Sequence, residues 1–238
     1  MKRKQIVLLV FVLLLLIAGG ISLYLYKRGS TPKPTTSTQP SSSQNNSSPS
    51  PAPMQATPTP VPAATLYYPM TNFDNRITVR TFGQLVKTTD VVSPCGAPFN
   101  GYHNADDLEV TAAEVNADVP VYAVVDGTVR EVGPVSGYGG LLVLGVTING
   151  QSYTVYYGHI NLGSTSLVAG SAVKAGQKLA ILGAQCSVQT GGERKHLHFT
   201  IHSGTTIDVR GYVPSLDVLT AWVDPKVFLA QNMAANIQ

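Results

Sequence analysis

The chain has 238 residues, 44% hydrophobic and 12% charged, with two cysteines and a formal net charge of +3. Six of its 16 basic residues stand before residue 34 and all 13 acids lie after residue 66, so the portion beyond residue 66 carries ten basic and thirteen acidic side chains, a net of −3. That balance excludes the domain-wide basic footprint that nucleic-acid binding needs, and no nucleic-acid partner is expected.

The first predicted element is Ile6 to Tyr26, an almost unbroken apolar run of 21 residues between Lys2-Arg3-Lys4 and Lys27-Arg28. At a rise of about 1.5 Å per residue a helix of that length crosses a hydrocarbon core of ~30 Å. A signal peptide cut near Ala18-Gly19-Gly20 is the rival reading. The apolar character continues past that point through Ile21, Leu23 and Leu25, which favours an uncleaved transmembrane anchor over residues 1–28. With the leading basic cluster held inside, the rest of the chain is expected outside the cytoplasm, anchored to the membrane or, if the leader is removed, secreted.

Residues 29–65 are built from Ser, Thr, Pro, Gln and Asn, with nine prolines between Pro32 and Pro62. A segment with so little to bury is expected to stay disordered. At ~3.1 Å per residue it reaches on the order of 100 Å when extended, enough to let a tethered domain act away from the bilayer.

Residues 66–238 are long enough for one domain with a single core. Short runs rich in Val, Ile, Tyr and Thr alternate with Gly-containing turns such as Asp126-Gly127, Ser136-Gly-Tyr-Gly-Gly140 and Asn149-Gly150. The pattern predicts an all-β fold of antiparallel hairpins. Its clearest hairpin joins Leu142–Ile148 to Gln151–Tyr157 through Asn149-Gly150, and short helix is expected only near Leu219 to Asn236.

Two segments of this domain carry metal-ligand residues at useful spacing, Gly101-Tyr-His-Asn-Ala-Asp-Asp-Leu108 and Glu193-Arg-Lys-His-Leu-His-Phe199. Side chains alternate along a strand, so His196, His198, Thr200 and His202 share one face while Leu197, Phe199 and Ile201 take the apolar other. His103 and Asp107, four apart, reach one side in either a strand or a helical turn, and Asp106 points away from His103 in an extended chain. A catalytic zinc takes three nitrogen or carboxylate ligands and keeps one position open. His103, Asp107 and one histidine of the His196/His198 pair make such a set. His202 lies about 13 Å beyond His198 along an extended strand and reads as a strand-end histidine.

The order His-x-x-x-Asp, then the Tyr-x-His that ends at His159, then His-x-His resembles the M23 peptidases, the lysostaphin/LytM-type zinc metallopeptidases. Val121–Val129, Val173–Gly183 and Asp224-Pro225 are similar to other signatures of that family, and the likeness runs from about Asn100 to Pro225. The resemblance implies antiparallel sheets forming a groove with the metal on its floor, and hydrolysis of peptides in peptidoglycan cross-links or stems. It also implies His103, Asp107 and His198 as zinc ligands, with His159 and His196 flanking the attacking water and the substrate. Ala105 and Asp106 replace the family's usual glycine and aliphatic residue, and the alternation favours Asp107 over Asp106 as ligand.

No His-Glu-x-x-His glutamate is present, so His159 and His196 are the available proton carriers, with base and oxyanion roles left open between them. A catalytically silent cell-wall scaffold or activator is the alternative; such relatives usually lack ligand residues, and none is missing here. A lipoyl-type carrier is excluded, because no lysine lies between Arg130 and Lys174 to bear the group. Cys95 and Cys186 precede His103 and His196 by eight and ten residues, and outside the cytoplasm they are expected to pair across the two loops, two buried thiols being the alternative. The sequence leaves oligomeric state open.

Overall fold

The structure, a computed structural model, describes residues 64–92 and 95–234. The apolar run at residues 6–26 and nearly all of the linker at 29–65 lie outside the described residues. Among the described residues no helix is long and apolar enough to cross a membrane.

The strands in chain order are β1 (Leu85–Val86), β2 (Gly101–His103), β3 (Asp106–Glu109), β4 (Pro120–Tyr122), β5 (Gly127–Val135), β6 (Gly139–Ile148), β7 (Gln151–Gly158), β8 (Ala172–Val173), β9 (Lys178–Ile181), β10 (His196–Ser203), β11 (Tyr212–Val213) and β12 (Trp222–Val223). The main sheet runs β12-β10-β7-β6-β5-β8, and β3 pairs with the first half of β10 on the edge that β12 occupies in its second half. Two small sheets, β1-β2-β11 and β4-β9, complete the domain. Every pairing is antiparallel, as the alternating pattern predicts.

The Asn149-Gly150 hairpin forms in the expected register, with Ile148 opposite Gln151. Asn149 and Gly150 take φ of 50° and 78°, the left-handed pair that a two-residue turn needs to match the strand twist. Strand β6 is apolar on both faces for the reason its sequence suggests, since it is central. Leu142, Leu144, Val146 and Ile148 enter the main core, while Leu141 and Val143 join Tyr138 and Tyr156 in a second cluster on the other side. Strand β10 divides cleanly: Leu197, Phe199 and Ile201 lie in the main core. That burial, worth about 1.5–3 kcal/mol for each large side chain, fixes the register that turns His196 and His198 to the opposite face.

Helix is less confined to the tail than the sequence suggests. Besides Leu216–Leu219 and Pro225–Ala234, a short helix spans Phe73–Arg76. Its Phe73 packs edge-on against Phe199, and its buried Arg76 forks onto both oxygens of Glu114 at 2.8 Å. Tertiary contacts outweigh the weak helical signal of so short a piece. Cys95 and Cys186 form the expected disulfide, with Cα atoms 5.5 Å apart at a sequence separation of 91.

Candidate metal centre

The β3–β10 ladder sets Asp107 directly opposite His198, which brings Asp107 Oδ1 to 3.2 Å from His198 Nδ1. His103 ends β2, where pairing with Tyr212 of β11 and a hydrogen bond from its N–H to the Gln84 carbonyl hold the backbone. Three residues later the chain enters β3, so His103 Nε2 lies 3.4 Å from Asp107 Oδ1 and 3.3 Å from His198 Nδ1. The three atoms form a nearly equilateral triangle. An edge of about 3.4 Å is what a tetrahedron of ligands at ~2.1 Å from a zinc ion has.

The hydrogen bonds around the triangle fit a cation at its centre. His103 Nδ1–H donates to the Thr81 carbonyl at 3.2 Å, which leaves a lone pair on Nε2. His198 turns its other nitrogen, Nε2, toward the Tyr138 hydroxyl at 3.4 Å. Asp107 Oδ1 is buried and has no hydrogen-bond partner. A buried carboxylate oxygen without a partner is costly, and two imidazole lone pairs beside it do not help, whereas a metal ion satisfies all three. Burial works to raise the Asp107 carboxyl, but the neighbouring His196 and His103 overrule it and hold it well below the usual carboxylate range. Burial pushes His198 down to about 4 against the pull of Asp107.

His159 and His196 stand beside the triangle. His159 follows β7 with φ 63°, a left-handed backbone held by the Gly183 N–H donating to its carbonyl at 2.8 Å. Its Nδ1–H donates to the Tyr138 carbonyl at 2.9 Å, so Nε2 is the bare nitrogen. Burial, reinforced by His196 and His198, pushes it well below the ordinary histidine value and keeps it neutral. His196 Nδ1–H donates to the Arg194 carbonyl at 2.9 Å, while Nε2 lies 3.3 Å from Asp107 Oδ2. The two rings are 4.4 Å apart, centroid to centroid. His159, His196 and His198 also make a cluster with ring nitrogens within 4.8 Å of one another. That all-nitrogen set leaves the ion's charge uncompensated and Asp107 Oδ1 without a partner, so the set with the carboxylate is the better fit.

The other expectations sort equally plainly. Asp106 faces away, accepting from the backbone N–H of Phe82 at 3.0 Å and of Lys226 at 3.1 Å. His202 packs edge-on against Trp222 and takes no part in the cluster. Three residues escaped sequence reasoning. Tyr138 touches His198 from a glycine-rich turn whose composition hid it. Arg194 bonds Asp107 Oδ2 at 2.7 Å, and Glu109 bonds Arg194. A signal for the last two existed: Glu109 continues the i, i+2 face of Asp107, and Arg194 precedes His196 by two.

Asp107, His159, His196 and His198 line a cavity of ≈ 230 Å³ together with a wall of Arg80, Phe99 and Tyr212. Phe99 and Tyr212 stack at 4.8 Å, and the Arg80 guanidinium sits 5.6 and 5.7 Å from their ring centres. The disulfide at Cys95 fixes one end of the segment that delivers Phe99 to this wall.

Residues 101–209 match the model of peptidase family M23. No curated protein matches the chain. Among solved structures the chain is similar to LytU, at 24% identity over 66% of this chain and 85% of that one, with a TM-score of 0.43. It is also similar to lysostaphin from Staphylococcus simulans (22% identity, 65% and 55% covered, TM-score 0.40). A zinc-containing peptidase from Vibrio cholerae gives 25% identity, 59% and 37% coverage and a TM-score of 0.41. The stretch that supplies His103, Asp107, His159, His196 and His198 is thus a peptidase family M23 domain.

Proposed function

We propose that the chain is a zinc-dependent endopeptidase that hydrolyses peptide bonds in peptidoglycan cross-links or stems. The observation that carries this reading is the triangle of His103 Nε2, Asp107 Oδ1 and His198 Nδ1, closed around an otherwise unpartnered carboxylate oxygen within an M23 domain. These three residues would hold the zinc. The ion supplies Lewis acidity, polarising the scissile carbonyl and lowering the pKa of the attacking water.

The chain's own residues handle the protons. His159 is neutral, with Nε2 bare and Nδ1–H fixed on the Tyr138 carbonyl, so it takes the water's proton on Nε2. On the other side of the site His196 presents Nε2, 3.3 Å from Asp107 Oδ2, and from that nitrogen it serves the developing oxyanion and the leaving amine. The aromatic and guanidinium wall of Arg80, Phe99 and Tyr212 orients the peptide and excludes water from one side. Residues 1–28 anchor this domain outside the cytoplasm, and residues 29–65 give it reach into the wall. The silent-scaffold alternative has no observation in its favour, because the ligand set and both flanking histidines are present.

The test is metal analysis of the full-length chain together with digestion of purified muropeptides. One zinc per chain and new peptide termini that disappear with chelator are expected. A chain that takes up no zinc, or takes it up and leaves every muropeptide intact, refutes the reading.

A further inference from the structure

Arg194 is buried, with Asp107 and Glu109 facing its guanidinium. Nη2 donates to Asp107 Oδ2 at 2.7 Å and to Glu109 Oε1 at 2.6 Å, and Nε reaches Glu109 Oε1 and Oε2 at 3.1 and 3.0 Å. The guanidinium fork is therefore seated on Glu109, and one edge of it extends to Asp107. Glu109 is itself fixed, since it stands opposite His196 in the same β3–β10 ladder that sets Asp107 opposite His198.

This arrangement makes the two oxygens of Asp107 unequal. Oδ2 is committed to a charged donor, while Oδ1 has no hydrogen bond and faces the two histidines. A carboxylate with both oxygens free can chelate an ion through both, as calcium sites use it. We propose that Arg194, anchored by Glu109, is a positioning residue that restricts Asp107 to one ligand oxygen and so selects a four-coordinate zinc over ions that favour six or more oxygen ligands. The inference rests on the metal-site reading above. Zinc is content with few ligands, whereas manganese and calcium gain from each added oxygen, so removing one donor atom discriminates between them. The arginine also draws charge from the carboxylate, and Glu109 returns some of it, which moderates the loss of affinity. Lysine does not substitute, because a point-like ammonium cannot sit on Glu109 through two nitrogens and reach Asp107 as well.

The test uses the full-length chain loaded with cobalt(II), whose visible absorption is intense when four-coordinate and weak when six-coordinate, and competition dialysis of zinc against manganese. Wild type is expected to show the intense band. Arg194→Ala should weaken it and lower the zinc-over-manganese preference by about tenfold or more, in the range typical for groups that hold metal ligands in place. Glu109→Gln should move both readouts the same way by less. Arg194→Lys should not rescue them, and it carries the test alone if Arg194→Ala fails to fold. An unchanged band and an unchanged preference in the Arg194 variants overturn the proposal while leaving the metal site standing. Wild type that takes up neither cobalt nor zinc overturns the metal-site reading itself, and the role of Arg194 with it.

Discussion

Gly158 stands opposite His198 in the β7–β10 ladder, and the ring of Tyr138 fills the space that a side chain on Gly158 would need. A β-carbon built there lies 2.5 Å from Tyr138 Cδ1 and 3.2 Å from His198 Cβ. Tyr138 in turn offers its hydroxyl to His198 and its carbonyl to His159, so one missing methyl group sets two of the site's histidines. Gly158→Ala should cost about 1–3 kcal/mol through overpacking. Displacing the tyrosine should lower kcat/KM on a wall peptide by roughly 10–10²-fold. Thermal melts and initial rates at matched zinc content check it, and an alanine variant with wild-type rates would show that the ring position is immaterial.

Loss of a ligand and loss of a proton carrier should separate. His198→Ala is expected to abolish stoichiometric zinc and activity together. His159→Ala and His196→Ala should retain the ion and slow turnover by ~10²–10⁴-fold, the usual cost of losing a general acid or base. Metal analysis beside rate measurements distinguishes the two classes, and zinc loss on replacing His159 or His196 would move that residue into the ligand set.

The bond between Cys95 and Cys186 closes a loop with 91 residues of sequence separation. In the chain-entropy model a loop of that size stabilises the fold by about 4–5 kcal/mol relative to the open chain. The Cys95→Ser/Cys186→Ser double variant should melt well below wild type, and non-reducing peptide mapping of wild type should recover the linked pair. Free thiols at both positions would contradict the pairing.

Arg76, hydrogen-bonded to Glu114, holds that carboxyl down to about 2 against an ordinary value of 4.5. A folded-state value below the unfolded one means that the pair's stabilisation is fully present above about 4.5 and is lost as pH falls through about 2. Wild type should therefore exceed Glu114→Gln in Tm at pH 6, and the gap should close between those two pH values. A gap independent of pH across that window would mean that charge is not the source.

The chain should behave as an integral membrane protein. Its Ile6–Tyr26 run predicts retention of the N-terminus, resistance to high-salt washing and release by detergent, since salt screens electrostatic adhesion but does not offset apolar burial. Protease added to spheroplasts should cut the tether and free the domain. A soluble mature form beginning near Ile21 would indicate secretion instead, and a protected domain would invert the topology.

Period-two alternation was enough to read β10 correctly, because Leu197, Phe199 and Ile201 leave the strand one way to bury itself. The same argument separated Asp107 from Asp106, whose oxygens turn out to cap backbone N–H groups instead. Tyr138 was not legible, since its role depends on a contact with His198, 60 residues away, and on the missing side chain of Gly158. Arg194 and Glu109 were not legible either, since only the β3–β10 register brings the buried Arg194 against the half-buried Glu109 beside Asp107. The helix at Phe73–Arg76 was likewise invisible, being held by Phe199 and Glu114 rather than by its own four residues.

The position of the disulfide has a bearing on wear. A cut anywhere after Glu109 and before Cys186 would split the domain into a piece bearing His103 and Asp107 and a piece bearing His196 and His198. The bridge would still join the two pieces covalently, and the β3–β10 ladder would still align them. Within that window are the exposed turns at Gly137, Gly150 and Gly170, where a foreign protease finds its easiest footing. A nicked molecule of this kind would keep His103, Asp107, His196 and His198 in one covalently joined assembly.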